Sequence, residues 1–404
     1  MYTDPSALAP LMPEDSSGEL LNIALNLVEE AAKLSNSIHP LTRIAIANLL
    51  RPMNSYYSNL IEGHDTNPVD IAKALKQDFS ENSKQRSLQL EAKAHIDIHH
   101  AIGEKFNSAN VNPFTSNFLQ WIHYAFYQLL PEEFRKIQTP EGTFLEVIPG
   151  EIRKSEVQVG MHVAPAAANL ASFMHVFQNQ YDPTKEKNRI NRIIAIAASH
   201  HRLAWIHPFL DGNGRVIRLF SDACFMNEGL AASGLWSMSR GLARNEKQYK
   251  EALANADLQR QGNFDGRGNL SNKYLVAFCA FFLTTAIDQV QFMNKILDVD
   301  GMRMRINRFV DLMVFQGKLK TESRYILEDV FFKGEIKKNE AERITNTSSK
   351  TAKAILDSLV KLELLTHDSS KHLSPYRVSY PINSSFILFS GLYPSNKEME
   401  MMIA

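Results

Sequence analysis

A mainly α-helical chain with one short β-hairpin near its middle and a winged helix-turn-helix at its end is the fold class this sequence predicts. Three observations predict it. Apolar residues recur at three- and four-residue steps through most of the first 300 positions. Alternating, turn-bounded sequence is confined to 142–160, and beyond about residue 300 short helical patterns give way to two extendable runs. The 404 residues exceed one core of ordinary size and imply two or three domains, placed at 1–110, 111–295 and 300–385.

The elements follow in order. Residues 19–36 (ELLNIALNLVEEAAKLSN) carry an amphipathic repeat that ends at Asn36, a residue suited to a helix C-terminus. Helical patterns continue over Pro40–Ile61, Val69–Gln77 and Asn82–Phe106, the second of these started by Asn67-Pro68. Residues 115–131 give another helix, closed by Pro131. In 142–160, Pro149-Gly150 lies between two extendable runs and Ser155–Val159 alternates, which predicts a hairpin, the only one in the first 300 residues. Helices resume at Ala167–Gln180, Lys187–Trp205 and from Arg215 onward; 256–272 is a polar Gly/Asn loop before an apolar helix at 273–294. Asn307–Gly317, Thr321–Phe331, Glu340–Ile344 and Ser348–Glu363 are short helices. Leu364–Thr366 and Tyr376–Tyr380 are strands joined by the polar turn His367–Pro375.

Lys plus Arg and Asp plus Glu both total 44, so the formal charge is zero, which excludes a globally basic nucleic-acid coat or an acidic tail protein. Two cysteines, Cys224 and Cys279, cannot build a disulfide framework or alone hold a structural zinc. The first twenty residues lack a basic segment leading into an apolar run, and the apolar stretches 193–198 and 274–286 are too short or too interrupted to span a bilayer. These features predict a soluble cytoplasmic protein that makes no membrane contact.

The chemistry concentrates in Ser199–Phe220, SHHRLAWIHPFLDGNGRVIRLF. Pro208 ends one helix, Gly212-Asn213-Gly214 is a poor helix interior, and a new helix follows. A loop entering a helix N-terminus is an anion site, because first-turn N–H groups face it and the helix dipole adds about half a positive charge. Arg215 and Arg218, three apart, add planar donors for phosphate. Asp211 would repel a phosphate unless it holds a bridging Mg²⁺, and His207 can take a proton near neutrality. Any one of these features alone is ordinarily structural. Their joint occurrence within twelve residues marks a phosphoryl-transfer constellation.

The string His207-Pro208-Phe209-Leu210-Asp211-Gly212-Asn213-Gly214-Arg215-Val216-Ile217-Arg218 resembles the signature HxFx(D/E)GNGRxxR of the Fic (Fic/Doc) family at every fixed position. The resemblance implies a Fic-type helical core that transfers AMP from ATP to a Ser, Thr or Tyr hydroxyl of a target protein. It implies His207 as general base, Asp211 as Mg²⁺ ligand, and Gly212, Asn213, Gly214, Arg215 and Arg218 as the grip on ATP. Gly150–Pro165 resembles the family's flap, which aligns a target segment by strand-like pairing and places Val159 and Gly160 beside the nucleotide. Tyr249 lies where relatives often carry an aromatic near adenine; a core tyrosine is the competing reading.

Ser58-Asn59-Leu60-Ile61-Glu62-Gly63 matches the family's inhibitory signature (S/T)xxxE(G/N). That match implies autoinhibition by Glu62 through Arg218, with Ser58, Glu62 and Gly63 as the inhibitory residues; removal of AMP is an activity left open. Self-modification, a homodimer and DNA binding are also left open. The DNA reading comes from Lys350, Lys353 and Lys361 on the last amphipathic helix and an excess of about four positive charges over 301–366; a nucleotide-sensing DNA-binding regulator is the alternative function. A zinc site at His200, His201, His207 and Asp211 is disfavoured because Pro208 breaks the helix between them. His95 and His99, one turn apart after Glu91, fit a solvated or packing face better than a metal site.

Overall fold

In a computed structural model of the chain, residues 2–108, 111–139, 142–230, 234–368, 370 and 374–403 are described. Helix α1 (Glu19–Asn36) and α2 (Pro40–Ile61) have the predicted bounds. They are followed by α3 (Pro68–Leu75), whose cap Asn67 accepts a hydrogen bond from the Val69 amide, and α4 (Ser83–Ser108). Then come α5 (Ser116–Tyr127), β1 (Lys136–Gln138), β2 (Phe144–Glu146), β3 (Gln158–Val159) and β4 (His162–Val163). Helices α6 (Leu170–Tyr181), α7 (Arg189–Ile206), α8 (Asn213–Asn227), α9 (Met238–Arg244), α10 (Glu246–Ala256) and α11 (Asn272–Ile296) complete the helical body.

The body is organised around α7, α8 and α11, with α1 laid along α11 and α2 wedged between α4 and α9. Helix α2 is buried on nearly every side from Leu49 to Asn59, polar residues included. Several of its polar groups are paired: Asn54 bonds Asp222 and Ser237, and the Ser55 hydroxyl donates to the Ala92 carbonyl, whereas the Asn59 side-chain amide makes no hydrogen bond. The N-terminal segment is strapped over the body, where Leu8 is fully buried, the Tyr2 ring lies tilted against Trp205 with ring centres 4.8 Å apart, and the Pro10 carbonyl accepts from Arg202.

After α11 come α12 (Val299–Phe315), α13 (Ser323–Lys333), β5 (Glu335–Ile336), α14 (Lys338–Thr345), α15 (Ser349–Lys361), β6 (Leu365–Thr366) and β7 (Tyr376–Val378). The three strands form an antiparallel sheet in the order β5-β7-β6. Part of the predicted turn His367–Pro375 lies outside the described residues. Helices α16 (Ser385–Leu388) and α17 (Ser395–Ile403) finish the chain. This last segment returns to α2 and the turn after it: the Tyr57 hydroxyl donates to the Leu392 carbonyl, and Lys397 lies 3.1 Å from Asp65. At the other end of α2, the Thr42 hydroxyl donates to the Phe331 carbonyl of α13 at 2.8 Å.

Three expectations need correction. Pro149-Gly150 is not a hairpin apex: two hairpins are present, β1–β2 and β3–β4. Gly150 has φ 80°, but its N–H is accepted by His123 and its carbonyl by Gln120, both on α5, so the bend is clamped to a helix. Helix α8 begins at Asn213, two residues before Arg215, because Gly212 in the left-handed region serves as its cap. Finally, α11 is longer than the apolar run within it and by length and composition could cross a membrane; here it packs against α1, α7, α9 and α10 as a core helix.

Candidate active site

The loop between α7 and α8 is shaped by a few constrained residues. His207 ends α7 in the left-handed region (φ 50°, ψ 62°), while its N–H still reaches the Leu203 carbonyl. That conformation is uncommon for a residue with a side chain, so its surroundings must hold it. Gly212 has φ 74°, and a Cβ there would lie 2.7 Å from the Tyr127 ring. The Asn213 amide braces the loop from inside, donating to the Phe209 carbonyl at 2.8 Å and accepting its N–H at 3.0 Å. The amides of Asn213, Gly214 and Arg215 precede the first bond of α8, from Val216 N–H to the Gly212 carbonyl. They form the anion-favouring end of that helix.

Burial, then Arg153 and His162, lower the His207 pKa to about 4, with the Ala204 carbonyl and Asp211 pulling the other way. Its ring is therefore neutral near pH 7, the form a base requires. Burial pushes the Asp211 carboxyl up, but Arg215 and the Tyr127 hydroxyl, which donates to it at 2.6 Å, outweigh this and leave it low. Asp211 is 44% exposed, so an ionised oxygen faces the open side of the loop. One hard carboxylate beside a phosphate cradle fits Mg²⁺, which takes one or two carboxylates and completes its shell with phosphate and water oxygens.

The two arginines are held differently. Arg215 is buried over the Phe126 ring, with Glu91 at 3.3 Å and Asp211 at 3.7 Å. Its Nε and Nη1 still make no hydrogen bond, an unusual state for buried donors and one that a phosphate oxygen would relieve. Arg218 is engaged through two of its three nitrogens: Nε donates to the Ser58 hydroxyl at 3.0 Å, and Nη2 donates to the Ser58 carbonyl at 2.9 Å and to Glu62 Oε1 at 2.6 Å. Burial would raise the Glu62 carboxyl, but Arg218 and then Arg215 overcome it and keep it ionised. Gly214 makes room for this pair, since a Cβ there would collide with the Glu62 carboxylate. Gly63, with φ 83°, turns the chain away immediately after Glu62.

The structure thus brings Ser58, Glu62, Gly214 and Arg218 into one corner, and His207, Asp211, Gly212, Asn213 and Arg215 into the adjoining loop. Val159 and Gly160 form the tip of the β3–β4 hairpin, where Val159 is exposed and the space at Gly160 is open. Tyr249 is core-like: it is buried, its hydroxyl is 2.8 Å from His200 Nε2, and burial raises its pKa to about 12. His95 and His99 are buried rather than solvated, and His200 and His201 are core residues. Among the described residues no group of three or more His, Cys, Asp or Glu could hold a metal.

Sequence reasoning missed several residues that shape the site. Glu91 pairs with Arg215 and also accepts from His64 at 2.7 Å. Tyr127 orients Asp211, and His123 stacks on Phe209 with ring centres 4.1 Å apart. Arg153 bonds the His207 carbonyl. They reach the loop from α4, α5 and the 150–165 segment; Glu91 was in view beforehand only as a neighbour of His95 and His99, and Arg153 only as part of Gly150–Pro165.

Residues 113–224 match the model of the Fic/DOC family. The chain contains a Fic domain. The α7–α8 loop and the 150–165 segment both fall within the matched range. Curated relatives named "Protein adenylyltransferase Fic" from Drosophila grimshawi and Drosophila mojavensis are 38% and 36% identical over 80 residues, which is 20% of this chain and 16% of each relative. A solved Fic family protein from Desulfovibrio desulfuricans aligns over 91% of this chain and 98% of its own, with a TM-score of 0.53 at 15% identity. A Fic domain containing signaling protein from Bacteroides thetaiotaomicron aligns over 67% and 96%, with a TM-score of 0.50 at 16% identity. At these identities the two structures speak for the fold, which is mainly helical and Fic-like along nearly the whole chain.

Proposed function

We propose that this protein is a Mg²⁺-dependent protein adenylyltransferase held inactive by Glu62. The observation that carries the reading is a neutral, constrained His207 on the same loop as a helix N-terminus and a buried arginine, Arg215, with unspent donors. A target Ser, Thr or Tyr hydroxyl would give its proton to the His207 ring as its oxygen attacks the α-phosphorus. One P–O bond forms, the bond to the β-phosphate oxygen breaks, and pyrophosphate leaves with that electron pair. First-turn amides of α8 and Arg215 would bind the phosphates, and Asp211 would hold the cation, which when bound neutralises phosphate charge. The β3–β4 hairpin supplies the edge along which an extended target segment would align.

Autoinhibition follows from competition for Arg218. While Ser58 and Glu62 hold Nε and Nη2, and the Glu62 carboxylate sits against the guanidinium, a γ-phosphate cannot take that face, and ATP is left without the contact that would set its α-phosphate in line for attack. The 300–385 region is read as a winged helix-turn-helix. On α15, Lys350, Lys353 and Lys361 are exposed, the one observation that favours the second reading of a nucleotide-sensing DNA-binding regulator.

The test is to incubate the Glu62→Gly protein with Mg²⁺ and ATP labelled at either the α- or the γ-phosphate. Label entering protein from α-labelled ATP alone, and lost in Glu62→Gly/His207→Ala, is the expected result. Incorporation from the γ position, or incorporation that survives loss of His207, would overturn the reading. Salt-dependent, sequence-selective DNA binding without any incorporation would favour the regulator.

A further inference from the structure

Arg153 is 4% exposed, and its side chain is bound almost wholly by main-chain carbonyls. Nε donates to the His207 carbonyl at 2.8 Å, Nη1 to the Ser155 carbonyl at 2.9 Å and Nη2 to the Pro165 carbonyl at 2.6 Å. Its own N–H donates to the Pro208 carbonyl at 2.9 Å. The nearest carboxylate, Glu156, is 3.7 Å away and is also engaged with the Ala167 amide.

Those acceptors have a pattern. Ser155 and Pro165 are the two feet of the β3–β4 hairpin, and His207 is the residue whose left-handed backbone needs an external hold. A planar fork reaches three carbonyls in fixed directions, which a lysine ammonium cannot do. The remaining tie of the hairpin to α7 is His162, whose Nε2 lies 2.8 Å from the Trp205 carbonyl.

We infer that Arg153 is a positioning residue that fixes the flap relative to the His207 backbone, so that a target strand aligned on the flap presents its hydroxyl to the base. The inference rests on the adenylyltransferase reading. Arg153 touches neither ATP nor the acceptor; it sets the geometry between the rail that holds the target and the ring that deprotonates it. Misplacement of about 1 Å between such parts costs on the order of a hundredfold in rate. A second consequence is electrostatic. The charged groups facing His207 are Arg153, His162 and Asp211, and Arg153 is the strongest of them in disfavouring a protonated ring.

The test compares Glu62→Gly with Glu62→Gly/Arg153→Lys and Glu62→Gly/Arg153→Gln, using His207→Ala protein as acceptor and Mg²⁺-ATP as donor. Hydrogen exchange is read in parallel. For the lysine variant we expect flap amides over 157–164 to exchange at least about tenfold faster while those of α7 and α8 keep their protection. Labelling should fall about tenfold to a hundredfold with the Kd for ATP within about twofold of the parent. The glutamine variant, which lacks the charge, should also move the acid limb of the rate up by about one pH unit, whereas lysine should not.

Unchanged flap exchange with unchanged labelling would overturn the inference. So would loss of protection throughout the chain or of a cooperative melt, because Arg153 would then be a general stabiliser. Absence of labelling in the Glu62→Gly parent itself would instead count against the adenylyltransferase reading, while the exchange result would still judge the role of Arg153 in holding the flap.

Discussion

Arg153 and Arg218 are both buried guanidiniums bordering the same loop, yet they are satisfied in opposite ways. Arg153 is bound by carbonyls of its own neighbourhood, groups that have no charge and nowhere else to go. Arg218 is bound by a hydroxyl, a carbonyl and a carboxylate that all arrive on a different helix, α2. An arginine held by main-chain carbonyls is a fixture. An arginine held by a carboxylate on a separate element has a partner that another anion can replace. The Arg153 corner is therefore built to stay, and the Glu62–Arg218 corner is one that another anion can enter.

The largest effect that would break this contrast is on the exchangeable side. Glu62→Gly should raise labelling about 10- to 100-fold, since each tenfold corresponds to about 1.4 kcal/mol, the scale of one charge-assisted contact. Thermal stability should change far less, because Glu62 sits at the end of α2 and Ser58 still caps Arg218. An unchanged rate, measured as incorporation from α-labelled ATP, would show that the pair does not restrain the enzyme.

The next effect concerns pH on the fixed side. With its pKa near 4, His207 loses its proton well below neutrality, so kcat/KM for Glu62→Gly should be flat from about pH 5.5 to 8 and fall only as pH drops toward 4. The same ring contributes stability that is complete above its unfolded value of about 6.5 and is lost as pH falls from there toward 4. In the wild type the Glu62 carboxyl lies below its ordinary value, because Arg218 and then Arg215 outweigh burial, so it stays ionised near neutrality and adds to the loss of stability only once pH falls into the carboxylate range. A profile bending near 6.5 would place His207 in an ordinary environment and contradict the buried, arginine-flanked one.

The smallest effect sharpens the contrast within the inhibitory corner. Ser58→Ala removes the hydroxyl that accepts from Arg218 Nε but leaves both the Ser58 carbonyl and Glu62 in place. Labelling should rise only about two- to fivefold, the weight of a single hydrogen bond. A rise equal to that of Glu62→Gly would move the restraint from the carboxylate to the hydroxyl.

How much of this was legible in the sequence follows from how far each contact reaches along the chain. Helices 19–36 and 40–61 could be bounded to the residue because their caps and periodicity are local. The catalytic loop was readable for the same reason, since His207 through Arg218 lie within twelve residues. The Glu62–Arg218 pair, 156 positions apart, was foreseen only through a resemblance to a family signature. Pro149-Gly150 misled because turn chemistry says that the chain bends, not what satisfies its N–H and carbonyl; here α5 does. Helices α16 and α17 and their return onto α2 left no periodic signal strong enough to read, being short and joined by Gly391 and Pro394. Arg153 looked like an ordinary charged residue beside Lys154, because nothing in a sequence shows that a guanidinium will be buried among three carbonyls.

Whether a neutral His207 lets an acceptor hydroxyl take AMP once Glu62 releases Arg218 is decided by intact-mass analysis. Wild type, Glu62→Gly and Glu62→Gly/His207→Ala are each incubated with Mg²⁺-ATP and an acceptor, the chain itself included. The account predicts a gain of one adenosine monophosphate that is large for Glu62→Gly, small for wild type and absent from the double variant. Equal gains in all three proteins, or a gain of a single phosphate, would contradict it.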